Sequence, residues 1–462
     1  MQFKKMSLLA LSIGTFSLAA EAEVDPERRR FQPPTLKSVS AQDEAKGFVE
    51  GQSLDGWTRN FFARERTQRG TYFGIQKGDG RSESTRRRDT WTQGTVLDYS
   101  SGFTQGSVGI GVQVAAYNEI ALERGKGRIA GGGNRTLTDH DGDAVEQWSK
   151  LGLANLKARV SNTTLSAGRL AISTPVVDVI GNRALPSSFE GVALHSAEFD
   201  NLSLDFGRFD RVSPRTEQSL TRFTSEYGDR SVTTDSVTLA GLQYQPFDNV
   251  GTKLYAASVK DLWNQYYFNI SHSMGDSATL QLDTDFNYYK TRDAGQRKLG
   301  AIDNNTYSLG LTASHLAHSL TLGYQQVDGD EYFDYLHETN GIYLANSLFS
   351  DFNGPNEKSM QIAYALDMAG YGVPGLGLSL YTARGWGIDG TRYKGGGYDG
   401  VQAMDGEKHI EYGVGVSYVI QSGALKNSRI KTTYATHRAS ANQADGSLRE
   451  LRVVTHIPFN LL

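Results

Sequence analysis

The chain has no cysteine, which excludes disulfide frameworks and Cys-based metal sites and suits an exported protein, for which a stray thiol is a liability. It has no charge excess: 47 Lys and Arg stand against 51 Asp and Glu, a formal net charge of −4, so the overall balance asks for no nucleic-acid partner. Only 38% of its 462 residues are hydrophobic, and the Leu and Ala in helical spacing that a soluble enzyme of this size carries are missing. Past residue 22 no run approaches the roughly 18 consecutive apolar residues of a membrane helix, so an inner-membrane helical protein is excluded. G-x-S-x-G and H-E-x-x-H are absent too, which removes two common signatures of hydrolytic catalysis.

What is present begins with an export signal. Lys4 and Lys5 precede an apolar stretch from Met6 to Ala19, and Ala20-Glu21-Ala22 has the form of a cleavage site. Residues 1–22 are therefore expected to be a signal peptide, with the mature chain starting at Glu23. Residues 23–50 are polar, carry Arg28, Arg29, Arg30 and Pro33-Pro34, show no clear period, and read as an N-terminal periplasmic or lumenal segment. From 51 to 462 the chain is rich in Gly, Tyr and Phe and repeats with a period of two. Val108, Ile110, Val112 and Val114 alternate with Gly109, Gly111 and Gln113, and Leu280, Leu282, Phe286 and Tyr288 with Gln281, Asp283, Asp285 and Asn287. Such alternation gives a strand one apolar and one small or polar face.

About eighteen such segments run from 53–63 to 448–461. Their connectors alternate: long and polar at 65–88, 119–146, 172–189, 210–233, 291–302, 328–356 and 385–407, and short at Ser161-Asn162, Pro246 to Val250, Ser273 to Asp276 and Ala369 to Pro374. Lys260-Asp261 is short where a long loop is expected. Long loops confined to one end are the signature of an outer-membrane barrel with short periplasmic turns. The fold class is all-β, a transmembrane antiparallel β-barrel crossing the Gram-negative outer membrane many times. Tyr99, Phe103, Tyr117, Tyr412, Tyr418 and Phe459 lie near strand ends, as interfacial aromatic girdles do. In the last strand Leu451, Val453, Ile457, Phe459 and Leu461 share a face, and the segment is similar to the closing strand read by the barrel assembly machinery, except that it ends in Leu462 rather than an aromatic residue.

The stretches GFVEGQSLDGWTRNFFARER, SGFTQGSVGIGVQVAAYNEIALERGKGR, LKARVSNTTLSAGRLAISTPVVDVIGNRALPSSFEGV, VKDLWNQYYFNIS and NEKSMQIAYALDMAGYGVPGLGLSLYTARGW resemble the OprD-type substrate-specific porins of Gram-negative outer membranes, a group that includes chitoporins. The resemblance implies an eighteen-stranded barrel, a monomer or loose trimer, whose third long loop folds inward to narrow the pore. It also implies a ladder of lumenal cations guiding carboxylate-bearing solutes such as amino acids or small aromatic acids.

Strand parity supports such a ladder independently. Lys157, Arg159, Arg169, Arg429, Lys431 and Arg452 fall on the polar side, and Arg59 joins them. A cation facing lipid at the midplane costs about 2–4 kcal/mol, whereas a row of cations in a narrow channel concentrates anions. The alternative is that each cation only pairs with a neighbouring acid and stiffens the wall. In the loop from Ser173 to Glu190, Pro175 and Pro186 restrict the backbone, and Asp178, Arg183 and Glu190 place both signs at an eyelet; the alternative is an ordinary external loop. Asp139-His140-Asp141-Gly142-Asp143 with Glu146 approaches the spacing of a calcium loop without its terminal bidentate Glu, and reads as a solvated acidic loop. His315 and His318 form a weak metal candidate, and Arg86, Arg87 and Arg88 could meet lipopolysaccharide phosphates. The sequence points to no metal, cofactor or catalytic residue. The expected function is passive, selective uptake of small anionic or zwitterionic solutes, the expected surroundings outer-membrane lipid and lipopolysaccharide. The alternatives are a chito-oligosaccharide or general porin, a barrel enzyme with a triad formed only in space, or an adhesin.

Overall fold

The computed structural model describes residues 40–76, 82–123, 137–138 and 145–462. The proposed signal peptide, the first part of the N-terminal segment and the acidic stretch 139–144 lie outside the described residues. Eighteen antiparallel strands form one sheet that closes on itself. In chain order they are β1 (Ser53–Gln68), β2 (Arg87–Ser100), β3 (Gly109–Ala121), β4 (Gln147–Val160), β5 (Thr163–Leu170), β6 (Ser188–Phe199), β7 (Leu202–Ser213), β8 (Val237–Phe247) and β9 (Val250–Val259). The ring continues through β10 (Trp263–Asp276), β11 (Leu280–Asp293), β12 (Asp303–His315), β13 (His318–Asp328), β14 (Lys358–Asp367), β15 (Leu376–Asp389), β16 (Asp405–Val419), β17 (Arg429–Ala439) and β18 (Ser447–Asn460). Each strand pairs with its sequence neighbours, and β18 returns to β1 over a register from Asp55↔Asn460 to Gln68↔Ser447. Closure leaves no unpaired edge, the only way a sheet can satisfy its backbone inside a membrane.

The period of two sets which side each residue faces. On β15 to β17, Leu380, Val414, Val416, Ile430 and Tyr434 are exposed on the outside, while their neighbours Tyr381, Gly413 and Ala435 turn in. The alternation of connector lengths holds. Residues 161–162, 200–201, 248–249 and 316–317 join strands at one end, and 171–187, 214–236 and 329–357 at the other. The short connection between Val259 and Trp263 does fall among the long ones; Asp261 takes a positive φ of 64° there.

The interior is not simply water. Five connectors contribute to a large apolar cluster packed against the wall, with Val176 and Val177 of the third long loop, Phe223 of 214–236, Leu336 of 329–357, Leu299 of 294–302 and Val401 of 390–404 meeting Leu170, Phe189, Phe209 and Trp263. This overturns one girdle assignment: Tyr117 is buried on the inner side in a cluster with Trp148 and Leu185, beneath Gly152, where a Cβ would lie 2.3 Å from its ring. Tyr412 and Tyr418 are exposed on the outer face.

The described part of the N-terminal segment sits at the short-turn end. The Gln42 side chain donates to the carbonyls of Thr104 and Gly106 at 2.8 and 3.0 Å, and Ala41 N–H donates to Asn162 Oδ1.

Candidate functional site

The third long loop, 171–187, crosses the lumen from the β5–β6 wall. Near its start Pro175 O accepts from Tyr289 OH of β11 at 2.9 Å. Further on, Gly181 O and Arg183 O both accept from Arg59 Nη1 of β1, at 2.7 and 2.9 Å, and Ala184 is buried with Phe61 and Val454. β1 and β11 stand nearly half-way apart around the ring, so the loop spans the channel and narrows it.

The loop 329–357, which from sequence reads only as a long polar connector, completes the narrowing. Asn340 N–H donates to Asp178 O at 2.9 Å, and Tyr343 OH and Asn340 Nδ2 donate to Asp178 Oδ2, both at 3.2 Å. Tyr343 N–H donates to Tyr289 O–H oxygen at 2.9 Å, so one tyrosine holds both loops. The third tie is Arg215 of 214–236, whose Nε and Nη2 reach Glu338 at 2.8 and 3.0 Å while Nη1 donates to Asn182 Oδ1. Burial alone would raise the Glu338 carboxyl, but the Arg215 guanidinium holds it well below the usual range. In the same loop burial pushes Asp334 up to about 6, although Tyr398 O–H and the N–H groups of Tyr227 and Tyr335 donate to it. Burial likewise pushes Glu331 up to about 7. A signal for this loop existed in the sequence, since FDYLHETNGIYLANSLF is too aromatic for a solvated connector.

The cations named from parity divide. Arg59, Lys157, Arg159, Arg429 and Lys431 lie on the inner side. Arg59 is committed to the loop carbonyls. Arg159 donates to Gln42 Oε1 at 3.0 Å and lies 3.9 Å over the Phe103 ring. Arg429 and Lys431 have no hydrogen-bond or carboxylate partner among the described residues. Arg452 is also on the inner side, but it is buried, bonded to Glu450 at 2.5 Å and stacked on Phe61, which is the wall-stiffening alternative.

Arg169 must be corrected. Its register partners are Ala154 and Glu190, in line with the exposed Val192 and Leu165 on the outer side. It lies 3.9 Å from Glu190 and donates to Leu151 O. Parity misled because Leu170 and Ile172 look lipid-facing, whereas they pack on the infolded loops. Glu190 leaves the eyelet for the same reason, its side chain being 47% exposed on the outer face. Asp178 is fully buried as a clamp between loops rather than facing the passage. Of the three constriction residues only Arg183, half-buried over the Phe61 ring at 5.9 Å, remains beside the channel.

Across the lumen the wall is richer in acids, with Lys253 of β9 buried among them. Asp283 and Asp285 of β11 point inward, held by Ser273 Oγ at 2.6 Å and Asn269 Nδ2 at 2.8 Å. On β7 Asp205 accepts from Tyr255 OH at 2.5 Å and meets His195 Nδ1 at 2.8 Å. The basic arc is not pure, since Asp98 is bonded by Gln113 and Asp55 by Asn460.

These features, a closed eighteen-stranded ring narrowed by infolded loops, agree with the family comparison: the model for "outer membrane porin, OprD family" matches residues 46–461. The chain is an OprD-family outer-membrane porin. This porin is 38% identical over 441 residues to Porin D of Pseudomonas aeruginosa, covering 92% of this chain and 94% of that one. It is 29% identical to the porin-like protein GalP of Pseudomonas putida, covering 92% and 96%. Its fold superimposes on the crystal structure of OccD3 (OpdP) of Pseudomonas aeruginosa with a TM-score of 0.82 and 47% identity, over 96% of this chain and 100% of the other. A substrate-selective channel in the Gram-negative outer membrane follows from that membership.

Other candidates of the porin resolve differently. His315 and His318 face each other across a turn, but His315 Nδ1 is bonded to Thr279 O and His318 lies between two tyrosine hydroxyls. His409, His437 and Asp445 bring ligand atoms within 4.8 Å of one another. There His409 is already bonded to His437 at 2.7 Å and to Glu357 at 2.5 Å, and His437 to Gly446 O at 2.6 Å. His195 with Asp205 has the form of a base and its orienter, yet among the described residues His195 bonds no hydroxyl nucleophile. Arg88 turns inward to Glu65 at 2.6 Å, away from any lipid.

Proposed function

We propose that this porin selects small carboxylate-bearing solutes, zwitterions such as amino acids among them, for passive uptake. The observation that carries the reading is the polarised lumen: among the described residues Arg429 and Lys431 have no acid partner beside Arg59, while Asp283 and Asp285 occupy the far wall. A carboxylate follows the cations, which hold it by charge-assisted hydrogen bonds, while an ammonium group on the same solute is drawn to the opposite side. Loop 171–187 forces both ends of the solute close to these walls. The finer parts of the reading, the signal peptide, assembly through the closing strand and a monomeric or loosely trimeric state, rest on the sequence.

The test is uptake of benzoate, arginine and a chito-oligosaccharide into liposomes, together with the reversal potential across planar bilayers in a KCl gradient. Replacing Arg429 and Lys431 by Gln is expected to slow benzoate several-fold and lower anion preference, with the oligosaccharide unaffected. Arg208→Ala, at a side chain 68% exposed on the outer face of β7, serves as the control and is expected to change neither. Equal uptake of all three solutes by the wild type, or unchanged anion preference in the double variant, would show that the lumenal cations do not select.

A further inference from the structure

The upper ends of six adjacent strands carry an outward arc of cations that the channel does not use. On β14 the outer face reads Lys358, Met360, Ile362; on β15, Arg384 stands above Leu380; on β16, Lys408 above Tyr412, Val414 and Val416; and on β17, Arg438 above Tyr434 and Ile430. β18 and β1 repeat the order, with Arg449 above Leu451 and Val453 and Arg64 above Phe62. In each strand a cation at the long-loop end gives way to apolar residues below, so the charges sit at the upper border of the lipid-facing band.

These cations are exposed, and Lys358, Arg384, Lys408, Arg438 and Arg449 have no carboxylate partner among the described residues. Three acids of the same strand ends point inward and are held elsewhere. Glu357 holds His409, Glu411 holds the backbone N–H groups of Phe349 and Ser350, and Glu450 holds Arg452. Like charges also meet directly: Arg66 is in register with Arg449 on one side and Arg87 on the other, with Asp89 the acid that touches Arg66 and Arg87. Arg64 shares the same carboxylate at 3.5 Å, so one acid serves three guanidiniums; directly opposed like charges destabilise a sheet, and the row stays cation-rich. The arc is bounded as well. At β13 the outer face ends in Gln326 and Asp328, and on β11 and β12 Lys290 and Arg292 are paired with Asp303.

We propose that this arc is a binding site for the phosphorylated disaccharide headgroup of outer-leaflet lipopolysaccharide. A phosphate-bearing headgroup lies at the height where the apolar band ends. Two phosphates on a rigid sugar suit several Arg forks spread over neighbouring strands better than one diffuse anionic charge does. The acyl chains descend over the apolar residues beneath. Trp386, in register between Lys358 and Lys408, offers the sugar an interfacial ring.

The experiment uses the full porin in detergent with diphosphorylated lipid A as probe, titrated by native mass spectrometry or microscale thermophoresis at two salt concentrations. The quadruple variant Arg384→Gln, Lys408→Gln, Arg438→Gln, Arg449→Gln should bind roughly six-hundred-fold more weakly, since each cation near an anionic surface contributes about a factor of five. Dephosphorylated lipid A should bind wild type and variant alike, and weakly. Single-channel conductance should be unchanged, which also certifies folding; should the quadruple variant not fold, the pair Arg384→Gln, Arg438→Gln is expected to bind about twenty-five-fold more weakly. The lumenal pair Arg429→Gln, Lys431→Gln should bind lipid A as the wild type does. Wild-type affinity in the rim variants, or phosphatidylglycerol binding as tightly as lipid A, overturns the proposal.

Discussion

Replacing Tyr289 by Phe removes one oxygen and leaves the ring in place. That oxygen donates to Pro175 O and accepts from Tyr343 N–H, both at 2.9 Å and in a fully buried position. Depriving a buried donor or acceptor of its partner costs about 1–3 kcal/mol each, so the two contacts together weaken the closed arrangement by roughly 3 kcal/mol. At about 1.4 kcal/mol per factor of ten, the ratio of displaced to docked loop rises on the order of a hundred-fold. The barrel should be untouched, because its hydrogen bonds run strand to strand. In single-channel recordings the variant is expected to show brief excursions to higher conductance that are rare in the wild type, with the same mobility shift on heating. A variant that folds normally and records as quietly as the wild type would refute the idea that this hydroxyl couples the two infolded loops.

Two further outcomes concern the same loops. Glu338→Ala leaves Arg215 buried opposite no carboxylate, an arrangement that costs about 3–5 kcal/mol; trypsin should then cut within 214–236 at a rate that rises at least ten-fold, and unchanged cleavage would show that the pair does not hold these segments together. For pH, Asp334 and Glu331 have values raised to about 6 and about 7, so the docked loop binds protons more tightly than the undocked one. Their contribution is complete at pH 4 and is lost as pH rises through 6 and 7. Glu338, held low, contributes above its ordinary range and fails only in stronger acid. Hydrogen exchange of 329–357, corrected for intrinsic rates, should therefore show more protection at pH 5 than at pH 8, and the reverse order would contradict the burial of these acids.

The sequence made the barrel legible because the physics of a membrane strand is local. Residues facing lipid must be apolar, their neighbours need not be, and a pattern such as Val112 with Gln113 reports that directly. It made the third loop legible through its two prolines and its family likeness. It misled at Arg169 and Glu190, where parity was referenced to Leu170. An apolar residue marks the outer face only where the inner face meets water, and here Leu170 meets Val176, Val177 and Phe189 in a dry interior. Asp178 was misjudged for a related reason: a charge in a constricting loop can serve as a brace between two segments as readily as it lines the passage. The loop 329–357 contributes more buried aromatic residues than any strand suggested, but its partners are distant in sequence, and periodicity carries no information about them.

The seam between β1 and β18 also bears on how the molecule is made. Asn460 donates to Asp55 across 405 residues of chain, and fourteen register pairs lie along that join. Every other neighbouring pair of strands can zip up as a local hairpin, but this one waits for the whole polypeptide. Contacts of such long sequence separation carry the largest loop-closure entropy and form slowly. Until they do, β1 and β18 each present a bare row of amides and carbonyls. The last fourteen residues of β18 thus decide whether a curved, open, aggregation-prone sheet becomes a sealed pore, which makes them the most kinetically sensitive part of the chain to truncate.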